Sequence, residues 1–199
     1  MRWIDVHRAS QLVTGQGPAV EPLTYAEVKA FLRLSADDDE AFVNGYITTA
    51  RMKVEEDAGL LCITQKWDLF IDAFPDDPIE IPFAPLTAVD SIKVTSVAGV
   101  QSTVAATVYQ VDLASAPPRV QLADNQVWPT DIRHMAGIVI RCSVGYGASG
   151  TAVPELVRHA MRYLIRMWYA PRGNDQVFIP PAWVGYDNAI KILRTRGKL

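Results

Sequence analysis

The feature that most constrains this chain is a change of texture along it. Helical periodicity occupies both ends and disappears from the middle. Near the start, Thr24-Tyr25-Ala26-Glu27 has the form of a capping box, with Tyr25, Val28, Phe31 and Leu32 repeating at helical spacing behind it. A second helix is expected to begin in the acidic run Ser35-Ala36-Asp37-Asp38-Asp39-Glu40, where negative charge complements the positive end of a helix dipole, and to reach Gly59 as its C-cap. Its apolar face is Val43, Tyr46, Ile47, Ala50, Val54 and Ala58.

From Leu61 to Tyr146 the pattern is different, since Pro75, Pro78, Pro82, Pro85, Pro117, Pro118 and Pro129 punctuate short segments rich in Val, Ile, Thr and aromatics. Strands are expected near 63–73, 80–83, 89–97, 107–112, 119–122 and 137–144, with Ala98-Gly99-Val100 as a hairpin tip. No helical crossover separates them, so the sheet is expected to be antiparallel. After Gly145-Tyr146-Gly147-Ala148-Ser149-Gly150 the helical period returns: Pro154 suits a first turn, and Leu156, Ala160, Tyr163, Leu164, Met167 and Trp168 line one stripe. Pro171 and Gly173 end that helix, and a last basic helix is expected from Trp183 to Arg196.

The fold class is therefore α+β, a small bundle of about four helices with an antiparallel β insertion between helices 2 and 3. By this reading, residues 1–22, rich in Gly and Pro toward their end, form an extended arm. Residues 23–60 and 151–199 form the bundle, and 61–150 the insertion.

Composition narrows function. At 199 residues, 49% of them apolar, the chain buries a substantial core without disulfides or metals. Its longest apolar run, near 136–140, falls far short of the ~20 residues a bilayer crossing needs, and MRWIDVHRAS lacks a secretory apolar stretch. Charge is uneven: residues 1–150 carry 11 Lys/Arg against 19 Asp/Glu, and residues 151–199 carry 8 against 3. A net charge of −3 argues against a dedicated nucleic-acid binder, and the asymmetry suits a protein that meets copies of itself or an acidic protein surface.

Catalytic and cofactor motifs find no support. Cys62 and Cys142 have no second Cys or His at ligand spacing, and His7, His134 and His159 are scattered, so no metal site is drawn. Gly145-x-Gly147-x-x-Gly150 has dinucleotide-loop spacing, but Thr151, Ala152, Val153 and Pro154 separate it from the helix and no βαβ unit precedes it. It reads as a strand-to-helix turn. The acidic run lacks the alternation and glycine of a calcium loop. No G-x-S-x-G elbow occurs. No cofactor is expected and the chain is not expected to be an enzyme. Arg158, Arg162 and Arg166, four residues apart on one helix face, form either a solvated row or a ladder facing another subunit.

Several strings carry a resemblance. Glu21-Pro22-Leu23-Thr24-Tyr25-Ala26-Glu27-Val28-Lys29-Ala30-Phe31-Leu32-Arg33-Leu34 comes first, then Ala50-Arg51, Val54-Glu55 and Gly59. Ile63-Thr64-Gln65-Lys66-Trp67, Trp128-Pro129, and Gly145-Tyr146-Gly147 with Val153-Pro154-Glu155-Leu156-Val157-Arg158-His159-Ala160 follow in order. Across about residues 21–170 the chain resembles the head-to-tail connector, or adaptor, proteins of long-tailed phages and gene transfer agents. The resemblance implies a structural virion protein: a twelve-fold ring beneath the portal that extends the DNA channel, without sequence-specific DNA binding, and docks the stopper and tail. It implies residence in the neck of a virion or phage-like particle, assembly in the host cytoplasm, and no membrane partner. The arm before Glu21 and the stretch Phe178-Ile179-Pro180-Pro181-Ala182-Trp183 depart from many relatives.

Two surfaces follow as expectations. Arg158, Arg162 and Arg166 are expected to meet Glu55, Glu56 and Asp57, or the acidic run 37–40, of a neighbouring copy. The segment from Trp183 onward, with Ile190 and Leu193 as apolar anchors and Lys191, Arg194, Arg196 and Lys198 as charges, is expected to dock on the portal, as the C-terminal ends of such adaptors do. The competing reading from another class is a small β-domain module binding a glycan-type ligand.

Overall fold

The computed structural model describes residues 8–35, 39–169 and 180–196 of the chain. Among the described residues eight strands and four α-helices run in the order β1 (Arg8–Leu12), α1 (Tyr25–Leu32), α2 (Glu40–Ala58), β2 (Gln65–Ile71), β3 (Ile79–Glu80), β4 (Leu86–Thr95), β5 (Gln101–Thr103), β6 (Tyr109–Asp112), β7 (Arg119–Leu122), β8 (Ile138–Val144), α3 (Glu155–Tyr169) and α4 (Pro180–Arg196). The chain divides into two compact units. The β unit holds Gln65–Gly145 and the chain up to Gly17; the helical unit holds Pro18–Thr64 and the chain from Tyr146 onward.

In the β unit a five-stranded sheet has the order β1-β2-β8-β4-β5, and a three-stranded sheet the order β3-β7-β6, every pairing antiparallel. The alternation of β8 decides its faces: Ile138, Ile140, Cys142 and Val144 are buried, and the residues between them are not. On the opposite face Arg141 stands directly across from Asp68 and forks onto it through two bonds of 2.8 and 2.7 Å. Lys66 reaches Asp90 at 3.0 Å, and the Ser143 hydroxyl donates to the same carboxylate. Register is thus set twice, because a one-residue slip would bury these charges and expose the apolar row. Ile79, Ile81 and Val120 are buried, and the Phe83 ring lies 5.5 Å from that of Trp67.

Two findings differ from the sequence reading. Arg8–Leu12, taken there as part of an extended arm, pairs residue for residue with β2 as an edge strand, from Arg8 opposite Ile71 to Leu12 opposite Trp67. The strand carries only one large apolar residue, so its order comes from β2's backbone, not from its own side chains. The insertion also contains two sheets, one including the fully exposed β5, which pairs with β4 around the expected tip: Ser96 donates to Val100 and Gly99 to Ser96.

In the helical unit the capping box forms as expected. The Thr24 hydroxyl accepts from the Glu27 amide, and the Glu27 carboxylate accepts from the Thr24 amide at 2.8 Å. Gly59 closes α2 in the left-handed conformation at φ 68°, which costs glycine nothing. The core joins Val43, Ile47 and Val54 of α2 to Val157, Met161 and Leu164 of α3 and to Tyr186, Ile190 and Leu193 of α4. Each such side chain contributes about 1.5–3 kcal/mol when buried. Among the described residues no helix is long and apolar enough to cross a membrane.

Candidate functional site

The arginine row on α3 is divided by the structure. Arg158 is committed inside its own unit: its Nε donates to the Pro22 carbonyl at 3.1 Å and one terminal nitrogen to Glu155 at 2.9 Å, while the other pairs with Glu27. Arg162 pairs with Glu155 as well. Both side chains are largely covered, at 12% and 16% exposure. Arg166 alone in the row is exposed, with no ion pair to the described residues. The carboxylates record this arrangement. Glu155 is held below its usual range chiefly by its bond to Arg162, and Glu27 by the Thr24 amide first, against burial, with the Thr24 hydroxyl and Arg158 assisting.

The acidic residues expected to face that row are mostly spent internally too. Arg51, buried in α2, donates to Glu21 at 2.8 Å and to Glu55 at 2.8 Å, and Glu55 accepts the Cys62 amide at 2.8 Å. Burial pushes the Glu55 carboxyl above its usual value despite these partners. Burial opposes the charge of Arg51 as well, but the bonds and charges of Glu21 and Glu55 outweigh it and raise its pKa. Asp57 takes Lys53 at 2.6 Å and the Tyr186 hydroxyl at 2.5 Å; burial acts against its charge, and these donors overcome it, so its pKa falls. Glu56 is exposed. Of the run 37–40, Asp37 and Asp38 lie outside the described residues, the Asp39 carboxylate accepts from the Tyr169 hydroxyl at 2.6 Å, and Glu40 is exposed in the first turn of α2.

The last helix corrects the expected docking segment. Ile190 and Leu193, the supposed apolar anchors for a partner, are 5% and 7% exposed and belong to the chain's own core. Arg194 donates to the Asp57 backbone carbonyl. The reason is periodicity: Tyr186, Ala189, Ile190 and Leu193 share one helix face, and α3 and α2 cover it. Trp183 and Lys191 lie on the outer side with Val184 and Ile192. The side chain of Arg196, and Lys198 entirely, fall outside the described residues.

The other sequence candidates resolve into structure. Gly145 has φ 111° after β8, and a Cβ at Gly150 would stand 2.8 Å from the backbone carbonyl oxygens of both Glu21 and Pro22. The glycines serve a turn and a close backbone approach. Cys62 and Cys142 are buried thiols; burial pushes Cys142 up to about 12 and Cys62 higher than its usual value. Phe74 stacks on Trp128 at 4.0 Å and 4°, with Tyr109 at 6.5 Å, so these insertion aromatics cover one another. Among the described residues no group of His, Cys, Asp or Glu is placed to hold a metal ion.

What sequence reasoning missed is the outer face of α2, where Phe42 and Met52 are each 58% exposed. Their signal was available: they fall off the buried stripe by half a turn.

Residues 23–116 match the family described as Phage gp6-like head-tail connector protein. The whole fold is similar to a chain from the neck of an empty gene transfer agent particle computed with C6 symmetry, at 25% identity, covering 94% of this chain and 95% of that one, with a TM-score of 0.75. A chain from the virion of a native gene transfer agent particle gives 25% identity, 93% and 94% coverage and a TM-score of 0.74. A chain from the neck of a native particle computed with C12 symmetry gives 25%, 94% of each chain and 0.70. No curated protein sequence matches.

Proposed function

We propose, from the match of residues 23–116 to the Phage gp6-like head-tail connector family, that this chain is a structural connector in the neck of a virion or phage-like particle, working as a ring of identical copies without catalysis. The observation that carries the reading is likeness over nearly the full length of both chains to a neck component. The finer picture is a twelve-fold ring seated beneath the portal, its lumen continuing the DNA path by shape and not by base contacts, its far side receiving stopper and tail-completion proteins. Assembly takes place in the host cytoplasm.

The internal pairing of Arg158 and Arg162 changes how such a ring would be charged. Arg158 ties α3 to α1 and to the chain before it, and Arg162 is held by Glu155 of its own helix, leaving Arg166, Glu40 and Glu56 as the exposed remnants of the ladder among the described residues. Light scattering of the purified protein, with negative-stain imaging in the presence of portal, tests the reading. Rings of uniform diameter are expected. A chain that stays monomeric and leaves portal particles undecorated refutes it.

A further inference from the structure

α2 buries one face and presents another that is just as regular. Phe42, Gly45, Thr49, Met52 and Glu56 recur at intervals of three and four, the seam of a helix that packs against another helix, and all are exposed. The Thr49 hydroxyl donates back to the Gly45 carbonyl at 2.8 Å, which satisfies its one donor within the helix. Gly45 is the telling residue. It lies within a 19-residue helix, where glycine costs about 1 kcal/mol relative to alanine, yet a Cβ there would meet nothing within 4 Å. Nothing among the described residues requires the glycine.

On α4 the outward side is marked by Val184, 59% exposed, with Trp183 and Ile192 exposed on its two flanks at 56% and 46%. A ring with cyclic symmetry needs two different patches on every copy, each meeting the other kind. Charge agrees with that pairing. The α2 seam is bracketed by exposed Glu40 and Glu56, and the one lysine of α2, Lys53, is already paired with Asp57; the α3–α4 side offers exposed Arg166 and Lys191, with Asp187 as the only acidic residue among positions 183–194.

We propose that the α2 seam centred on Gly45 receives the outer face of α4 from the next copy, the glycine admitting close helix approach. The inference rests on the ring reading and names its lateral contact. Three variants test it in sedimentation velocity and thermal melting. Gly45→Ala should raise the monomer's melting midpoint by about 1–4 °C while weakening self-association. Gly45→Leu should keep the helical signal and weaken self-association at least tenfold. Gly45→Cys and Val184→Cys chains, mixed and oxidised, should cross-link to each other and not to themselves, since a disulfide forms only where Cα atoms come within about 7 Å. Wild-type assembly by Gly45→Leu, or Gly45→Cys cross-linking to itself, overturns the inference and leaves the ring standing. Normal rings that no longer bind portal give the seam to another partner and also overturn it. A wild-type chain that never self-associates removes ring and seam together.

Discussion

Arg51 is the residue whose loss should be felt most for the least change in volume. Arg51→Met keeps the aliphatic stem and removes a guanidinium that satisfies Glu21 and Glu55 together. Breaking a buried pair by deleting one partner costs about 3–5 kcal/mol, because the other charge stays buried. The lower end applies to this pair. Glu21 is 29% exposed and recruits water, and the Cys62 amide continues to hold Glu55, whose side chain is only 10% exposed. We expect a loss of about 3 kcal/mol at pH 7, or about 6–12 °C in the helical transition followed by circular dichroism at 222 nm. Adding Glu55→Gln removes the stranded charge while keeping an acceptor for the Cys62 amide, and should recover most of the loss. The deficit should also shrink in acid. Burial already raises the Glu55 pKa above 4.5, so the folded state binds its proton more tightly than the unfolded chain, and stability falls as pH rises through the folded value. An Arg51→Met protein that melts within 2 °C of wild type, or one that Glu55→Gln does not rescue, would refute this account of the network.

Three further outcomes are expected. Thr24→Ala removes the N-cap of α1 and should cost about 1 kcal/mol in denaturant unfolding, an effect absent in Thr24→Ser. Gly150→Ala drives a methyl against two backbone carbonyls and should cost about 1–3 kcal/mol, whereas Gly45→Ala should not destabilise at all. In acid, Glu27 and Glu155 are held below 4.5, Asp57 below 3.8, and Asp112 is held at about 2 by the Ser115 hydroxyl and amide and by Arg119. Depressed carboxylates stabilise above their unfolded values and lose that contribution as pH falls through their folded ones. Thermal midpoints should hold or rise slightly from pH 7 to 4.5, as Glu55 protonates, then fall steadily toward pH 2; a midpoint still rising below pH 4 contradicts the signs of these shifts.

How much of this was legible in the sequence depended on the range of the interaction. The capping box at Thr24, the stop at Gly59 and the stripe on α3 are local, and each is where the residues put it. Strands β2, β4 and β8 announced themselves through β-branched and aromatic runs. β1 and β5 did not: Arg-Ala-Ser-Gln-Leu and Gln-Ser-Thr are strands only because β2 and β4 supply a ladder. The candidate surface was only partly legible for the same reason. The helical spacing of Arg158, Arg162 and Arg166 was visible, but the bond from Arg158 to Glu27 spans 131 residues, and no periodicity reports such a partner. The i+3 pair Glu155–Arg158 was within reach of sequence reasoning and pointed inward.

The placement of the β unit between α2 and α3 has a consequence in time. A ribosome that has finished α2 adds roughly a hundred residues before Glu155 begins α3, about 5–20 s at 5–20 residues per second. β8, the central strand of the larger sheet, is complete at Val144, ahead of both α3 and α4, so the β unit can close before the bundle does. Val43, Ile47 and Val54 meanwhile await the helices that will cover them. The bundle is finished last, and the chain's most aggregation-prone moment falls while the β unit is already folded and the helical unit still lacks α3 and α4.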